Sequence, residues 1–101
     1  METIAAISTA PGLGGIGIIR ITGKEAFGIL LKIFKSKKVK KIEDIVPNTI
    51  IYGKIYDDNR MVDEVLVSFF KSPNSYTKED LVEINTHGGS IVMKEILNLV
   101  L

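Results

Sequence analysis

Apolar residues alternate with polar residues or glycine over several short segments of the chain, and this period of two is typical of half-buried β-strands. β-Branched residues are frequent in the same segments, which favours strands further. Two other segments carry apolar residues at three- and four-residue spacing, which predicts amphipathic helices. The predicted order is strand, strand, helix, strand, strand, strand, helix, over residues 3–9, 16–22, 24–34, 49–56, 62–71, 81–86 and 89–101.

Each predicted helix has one apolar stripe, which indicates that one face packs on a sheet. A turn at residues 57–60 joins two strands in a hairpin, with Val65, Val67 and Phe69 on one side. We therefore predict an α+β fold, a mixed and largely antiparallel sheet with two helices. The stripes consist of Ala26, Phe27, Leu30, Leu31 and Phe34 in the first helix, and of Val92, Met93, Ile96, Leu97, Val100 and Leu101 in the second.

The most distinctive stretch, residues 72–90, joins a loop rich in Pro, Asn and Ser to a short strand and two glycines. In the strand, Val82 and Ile84 share one face, so Glu83 lies on the other face. A carboxylate among apolar segments is costly unless something binds it. We interpret the stretch as part of a pocket that receives Glu83.

The ends of the same strand are expected to complete this pocket. Gly88 and Gly89 allow a sharp turn into the last helix, whose exposed N–H groups are suited to an anion or a ring oxygen. We predict that this turn forms the floor of the pocket and that the loop at residues 74–77 forms its roof. His87, beside the glycines, is expected to make a structural hydrogen bond rather than to act in catalysis.

Arg20 lies within a β-branched strand and shares a face with Ile16 and Ile18. A buried guanidinium needs a partner, because an unpaired charge away from water is unfavourable. One interpretation is a salt bridge to a carboxylate such as Glu83. The other is contact with an anionic or carbonyl-bearing ligand, and one arginine is able to do both.

The glycines at 12, 14 and 17 match the G-x-G-x-x-G pattern of dinucleotide-binding proteins. That fingerprint requires a helix directly after it, with the phosphate at the helix N-terminus. Residues 16–22 instead predict a strand. We therefore interpret the glycines as a turn between two paired strands.

Composition narrows the function classes only slightly. With 101 residues there is room for one domain, and a formal net charge of +1 gives no general attraction to nucleic acid or membrane. The absence of cysteine excludes disulfides and thiolate metal sites, and with a single histidine we predict no metal site. Six lysines lie between residues 32 and 41, either as a solvated helix end and loop or as a contact for RNA phosphate.

The two ends of the chain carry further expectations. Glu2 stands where a signal peptide has a positive charge, and no apolar run has the length of a membrane helix, so we expect a cytoplasmic protein without a membrane contact. The apolar pattern of the last helix continues to Leu101 without a stop signal, which indicates a piece of a longer protein. We expect Leu97, Val100 and Leu101 to be partly uncovered and to promote self-association.

Four segments together resemble the N-terminal domain of the tRNA modification GTPase family known as MnmE or TrmE. They are residues 3–7 (TIAAI), 11–21 (PGLGGIGIIRI), 62–67 (VDEVLV) and 73–89 (PNSYTKEDLVEINTHGG). The resemblance covers essentially the whole chain, and its last block is specific. Lys78 stands where the family usually has glycine, a loop position at which we expect no effect on the site.

The resemblance implies a domain similar to the tetrahydrofolate-binding domain of folate-dependent aminomethyl transferases. Residues 1–101 would then bind a 5-formyltetrahydrofolate-type one-carbon donor and hold two protomers together as a homodimer. The family's folate contacts fall on Arg20 and Glu83, and no catalytic residue falls in this region. A purely structural dimerisation module, with Arg20 and Glu83 paired and no ligand, is the alternative.

The resemblance also implies activities that these residues alone do not carry. The family adds a helical domain and a GTP-binding domain, works with an FAD-dependent partner, and modifies carbon 5 of the wobble uridine in tRNA. These 101 residues contain no G-x-x-x-x-G-K-[ST] loop, so GTP, with magnesium and potassium, would bind elsewhere in a longer protein. On its own the domain is expected to be inactive as a GTPase.

Overall fold

The computed structural model describes residues 3–8, 17–75 and 78–101. Two helices and six strands form in these ranges, together with a 3-10 helix at Ile42–Asp44. The strands are β1 (Ile4–Ile7), β2 (Gly17–Thr22), β3 (Phe34–Lys35), β4 (Thr49–Asp57), β5 (Arg60–Phe70) and β6 (Leu81–Thr86), and the helices are α1 (Ala26–Leu31) and α2 (Gly89–Val100).

The six described strands form one sheet in the order β1-β2-β6-β5-β4-β3, and every neighbouring pair is antiparallel. The predicted α+β fold with two helices is therefore confirmed. The sheet places β2 and β6 side by side, so that Arg20 and Glu83, which are 63 positions apart in the chain, become direct neighbours.

The hydrophobic core lies on one face of the sheet, where both helices pack. Val65, Val67 and Phe69 of β5 are buried there, as the alternation predicts. Phe27 of α1 meets Phe69 edge to face, with ring centroids 5.7 Å apart. Met93 of α2 joins the same cluster. The opposite face of the sheet, called here the open face, carries Arg20 and Glu83 and has no helix among the described residues.

The first helix is shorter than predicted. It ends at Leu31, and Phe34 lies in strand β3 instead of continuing the helical stripe. Backbone pairing with β4 replaces the helical hydrogen bonds, since the Tyr56 N–H donates to the Ile33 carbonyl at 2.8 Å. Phe34 is buried in either arrangement, so its apolar character alone did not distinguish helix from strand.

The last helix covers its predicted range, but its buried stripe is narrower than predicted. Met93, Ile96 and Val100 are buried, whereas Leu101 is 77% exposed. The expected exposure is thus present at Leu101 and absent at Val100. Glu95, predicted to point outward, forms an ion pair with Arg60 at the β4–β5 turn. None of the helices within the described ranges combines the length and the apolar character that crossing a bilayer requires.

Candidate ligand-binding cleft

Arg20 and Glu83 form an ion pair on the open face, across strands β2 and β6. They lie directly opposite each other in the β2–β6 register, and the Arg20 Nε donates to the Glu83 Oε2 at 2.5 Å. The Arg20 side chain is 38% exposed and the Glu83 side chain 18%. The pair is therefore accessible to a ligand, while the neighbouring protein reduces its contact with water.

A cleft of about 470 Å³ opens above this pair. Its walls combine charged, amide, hydroxyl and apolar groups, a mixture that suits a ring system with polar edges. Leu81 supplies a buried apolar wall beside Glu83, and Phe70 lies opposite Leu81 on the adjacent strand. The described residues that line the cleft are Arg20, Asn48, Phe70, Asn74, Ser75, Leu81 and Glu83.

The loop after β5 is held over the cleft by its own polar groups. The Asp80 carboxylate accepts from the Ser72 N–H at 2.9 Å, and the Ser72 hydroxyl donates to the Lys78 carbonyl at 3.1 Å. The Ser75 hydroxyl donates to the Glu79 carbonyl. Asn74 and Ser75 line the cleft as predicted for its roof, whereas residues 76 and 77 of the predicted roof lie outside the described residues.

Two cleft residues, Asn48 and Phe70, were not predicted from the sequence. Asn48 precedes β4 with a φ of 62°, a left-handed conformation that asparagine tolerates better than most residues, and its N–H donates to the Phe69 carbonyl at 2.7 Å. That bond joins the entry of β4 to the end of β5 and so brings Asn48 next to Phe70. The Pro47-Asn48 turn signal was visible in the sequence, but its position relative to Arg20 was not.

The Gly88-Gly89 turn is not the floor of this cleft, so that prediction is wrong. β6 begins at the cleft with Leu81 and ends at Thr86, and the two glycines follow that far end of the strand. The Asp63 carboxylate lies there, and it accepts from the His87 N–H at 2.8 Å and from the Gly88 N–H at 3.2 Å. An anion does meet this helix entry, but it belongs to the protein itself.

His87 has the structural role that was predicted for it. Its Nδ1 lies 2.8 Å from the Glu64 carbonyl oxygen, at the same far end of β6 as the glycines. In the glycine run, Gly17 begins strand β2, so the predicted strand is confirmed where the dinucleotide fingerprint requires a helix. Residues 12–16 of that run lie outside the described residues.

Comparison with known proteins identifies the family. The family model described as "GTP-binding protein TrmE N-terminus" matches residues 3–101. The chain belongs to the TrmE N-terminal family. Among its curated relatives are proteins named tRNA modification GTPase MnmE from Clostridioides difficile, 55% identical over 100 residues, from Alkaliphilus oremlandii, 56% identical over 102 residues, and from Streptococcus mutans, 49% identical over 100 residues.

These relatives are much longer than the chain. Each alignment covers 99% of this chain but only 22%, 22% and 21% of the three relatives, respectively. The chain thus spans about a fifth of the length of these relatives. The TrmE N-terminal match includes every described strand and helix, and with them Arg20 and Glu83.

Proposed function

We propose that this TrmE N-terminal domain binds a 5-formyltetrahydrofolate-type one-carbon donor in the cleft above Arg20 and Glu83. The observation that carries the proposal is the partly exposed ion pair, held on two adjacent inner strands beneath a cleft with both amide and apolar walls. A pair that served only to stabilise the sheet would need no such cleft above it.

The chemistry of a pterin ring matches this arrangement. Its ring N–H and exocyclic amino group lie side by side, and a carboxylate accepts both as a bidentate pair. Arg20 uses Glu83 Oε2, but a carboxylate has about four lone-pair sites. Glu83 therefore has capacity for the pterin while Arg20 keeps it oriented. Arg20 would in turn contact a carbonyl of the ligand or its glutamate tail, and neither residue transfers a proton.

The alternative is a structural dimerisation module without a ligand. It calls for Arg20 and Glu83 to pair with each other, and they do. The same pairing is also what a preorganised empty site requires, so this contact alone favours neither function. The cleft and its loop favour ligand binding, and a binding measurement separates the two.

For the longer protein we propose the activity that the relatives' names describe, tRNA modification coupled to GTP hydrolysis. GTP, with magnesium and potassium, would bind outside these residues. The modified position would be carbon 5 of the wobble uridine, in a cytoplasmic complex with an FAD-dependent partner protein. The part of this activity assigned to residues 1–101 is to hold the one-carbon donor.

We also propose that two copies of the domain associate through the β1 edge of the sheet. Among the described strands β1 is an outer one, and its Ile4 side chain is 57% exposed on the open face. An apolar side chain on an edge strand is a common point of strand-to-strand association. The edge lies one strand away from Arg20, so the two proposed functions occupy neighbouring parts of the same face.

Calorimetric titration of the chain with 5-formyltetrahydrofolate tests the cleft. Glu83→Gln keeps the shape of the side chain but removes its charge, and should weaken binding by about 1.5–3 kcal/mol, or roughly 10- to 150-fold. Glu64→Gln is the matched control, because Glu64 is an exposed glutamate on β5 outside the cleft. It should bind like the unchanged chain.

Thermal unfolding of the same variants distinguishes the alternative. If Glu83 serves the ligand, Glu83→Gln should lose affinity and keep most of its stability. Unchanged affinity together with a large loss of stability would instead establish a structural salt bridge and refute the ligand-binding proposal.

A further inference from the structure

A second groove, of about 650 Å³, lies on the β4 side of the sheet, away from the Arg20–Glu83 cleft. We call it the lysine groove. Its rim holds four lysines from two parts of the chain, and its floor is largely apolar. The described residues that line it are Lys35, Ser36, Lys37, Lys38, Ile50, Ile51, Tyr52, Gly53, Lys54 and Leu66.

Tertiary packing fixes the lysines in place. Gly53 has no side chain, and a Cβ there would lie 2.4 Å from the Phe34 ring and 2.6 Å from the Lys35 carbonyl oxygen. Strand β3 can therefore lie close against β4, and Lys35 emerges at the groove. Lys35 Nζ in turn lies 5.2 Å from the centre of the Tyr56 ring.

The turn that follows is equally well held. The Ser36 hydroxyl accepts from the Val39 N–H and donates to the Val39 carbonyl, both at 3.0 Å, and Val39 is buried. Lys37 and Lys38 lie between these two anchors and are exposed. They are thus presented by a closed turn, which lowers the entropy lost when they bind a ligand.

The groove floor contains an exposed aromatic ring. Tyr52 is 55% exposed on the open face and lies opposite Leu66 in the β4–β5 register. Residues 32–41, called here the lysine segment, contain one aromatic residue, Phe34, which is buried. Lys54 lies two residues from Tyr52 on β4, and the β3–β4 pairing adds the lysines of the preceding segment. A ring beside several lysines is typical of surfaces that bind single-stranded nucleic acid.

The charge of the groove is one-sided. Its described lining has four lysines and no carboxylate. Glu64 lies opposite Lys54 across the β4–β5 pair, so adding it leaves four positive charges against one negative. The Asp44 carboxylate is engaged elsewhere, where it accepts from the Lys40 and Lys41 N–H groups at 3.0 and 3.3 Å. The whole chain, by contrast, has a net charge of only +1.

We propose that the lysine groove binds a single-stranded segment of RNA, with phosphates on Lys35, Lys37, Lys38 and Lys54 and an unpaired base against Tyr52. A second copy of the chain fits this groove less well, because a self-complementary contact would bring two sets of lysines together. The inference extends the proposed role in tRNA modification but does not depend on folate binding, since Arg20 and Glu83 lie outside the groove.

Fluorescence anisotropy tests the proposal with a labelled, unmodified tRNA transcript titrated with the chain at several potassium chloride concentrations. Lys37→Gln/Lys38→Gln should weaken binding about tenfold at 50 mM salt and lower the slope of log K against log salt by about 1.4, the value for two lost phosphate contacts on a single strand. Lys24→Gln/Lys94→Gln removes the same charge from exposed positions outside the groove and should change binding less than about twofold.

Tyr52→Val supplies a second, independent measurement. Valine suits a strand, and loss of base stacking should weaken binding about fivefold or more while the salt slope stays unchanged. Equal effects of the two double-lysine variants would mean that the RNA responds to overall charge only, and would overturn the proposal. So would a dimer, detected by light scattering, that Tyr52→Val or the Lys37/Lys38 variant dissociates, because a second copy would then occupy the groove.

The RNA-binding proposal and the folate-binding proposal can fail independently of each other, because different residues carry them. Loss of RNA binding in the lysine variants should leave the folate titration unchanged, and Glu83→Gln should leave the RNA titration unchanged. An RNA affinity that depends on Glu83 rather than on Lys37 and Lys38 would contradict the placement of the RNA in the lysine groove.

Discussion

Lys78 has a backbone φ of 63°, in the left-handed region where a side chain meets the following carbonyl. The resemblance to the family suggested glycine at this position, and the backbone conformation supplies the reason. Its N–H donates to the Ser75 carbonyl at 3.1 Å, and its own carbonyl accepts from Ser72, so the loop holds the residue in this conformation. The lysine is therefore strained.

We expect Lys78→Gly to stabilise the domain by about 0.5–1 kcal/mol, because relief of the strain exceeds the extra entropy of glycine in the unfolded chain. Urea unfolding measures the difference. Lys71→Gly, at an exposed position for which no left-handed φ is found, should lower stability instead. If both glycine variants lower stability equally, the strain at Lys78 is not significant.

At the scale of the elements, strand β3 depends on one glycine in its neighbour. Gly53 is buried within β4, and the Phe34 ring fills the space that its side chain would take. Glycine inside a strand usually weakens it, and here it permits the close approach that forms β3. Phe34 then joins the core from a strand, and the lysine segment follows the β4 edge.

We expect Gly53→Ala to lower the free energy of unfolding by about 1–3 kcal/mol, the range for overpacking a core. It should also speed hydrogen exchange of the Tyr56 N–H, which donates to the Ile33 carbonyl when β3 is docked. Gly28→Ala is the matched control. A Cβ at Gly28 meets only the Ile42 side chain at 4.0 Å, so alanine should stabilise α1 by about 0.5–1 kcal/mol.

Equal destabilisation by the two glycine substitutions would argue against a specific role for Gly53. If the hydrogen-exchange rate of the Tyr56 N–H is unchanged in Gly53→Ala, β3 accommodates the extra methyl group without leaving the sheet.

At the scale of the whole molecule, one face of the sheet carries the core and the other carries the proposed contacts. On the open face, the Arg20–Glu83 cleft lies between the β1 edge and the lysine groove. The two sides differ in charge, because the lysines are concentrated on the β4 side. Self-association is therefore expected at the β1 edge, where these like charges are distant.

Light scattering over a range of protein concentrations tests this assignment. If the proposed dimer uses the β1 edge, Ile4→Lys should shift the chain towards the monomer, since a charge would have to be buried at the contact. Ile91→Lys is the control, because Ile91 is 82% exposed but lies on α2, on the helical side of the sheet. If Ile91→Lys dissociates the dimer and Ile4→Lys does not, the contact between the two copies lies on the helices and not at the β1 edge.

The sequence by itself determined most of the local structure and the charged pair of the site. Alternation placed Val82 and Ile84 on the core face, and it placed Arg20 and Glu83 on partly exposed positions of their strands, because side-chain direction in a strand depends only on its period of two. The bounds of β6 follow from the same pattern. The specific blocks around these residues also indicated the family, which the comparisons confirm.

Only the tertiary structure decided which of these residues meet. Phe34 fits a helical stripe and a strand equally well by sequence, and the space above Gly53 selects the strand. Asp63 binds the helix entry at Gly88, whose N–H groups the sequence indicated as suited to an anion or a ring oxygen of a ligand. Tyr52 lies beside Lys35, Lys37 and Lys38 only because β3 pairs with β4. Such contacts depend on strand order and close packing between distant segments, and local sequence patterns carry no information about either.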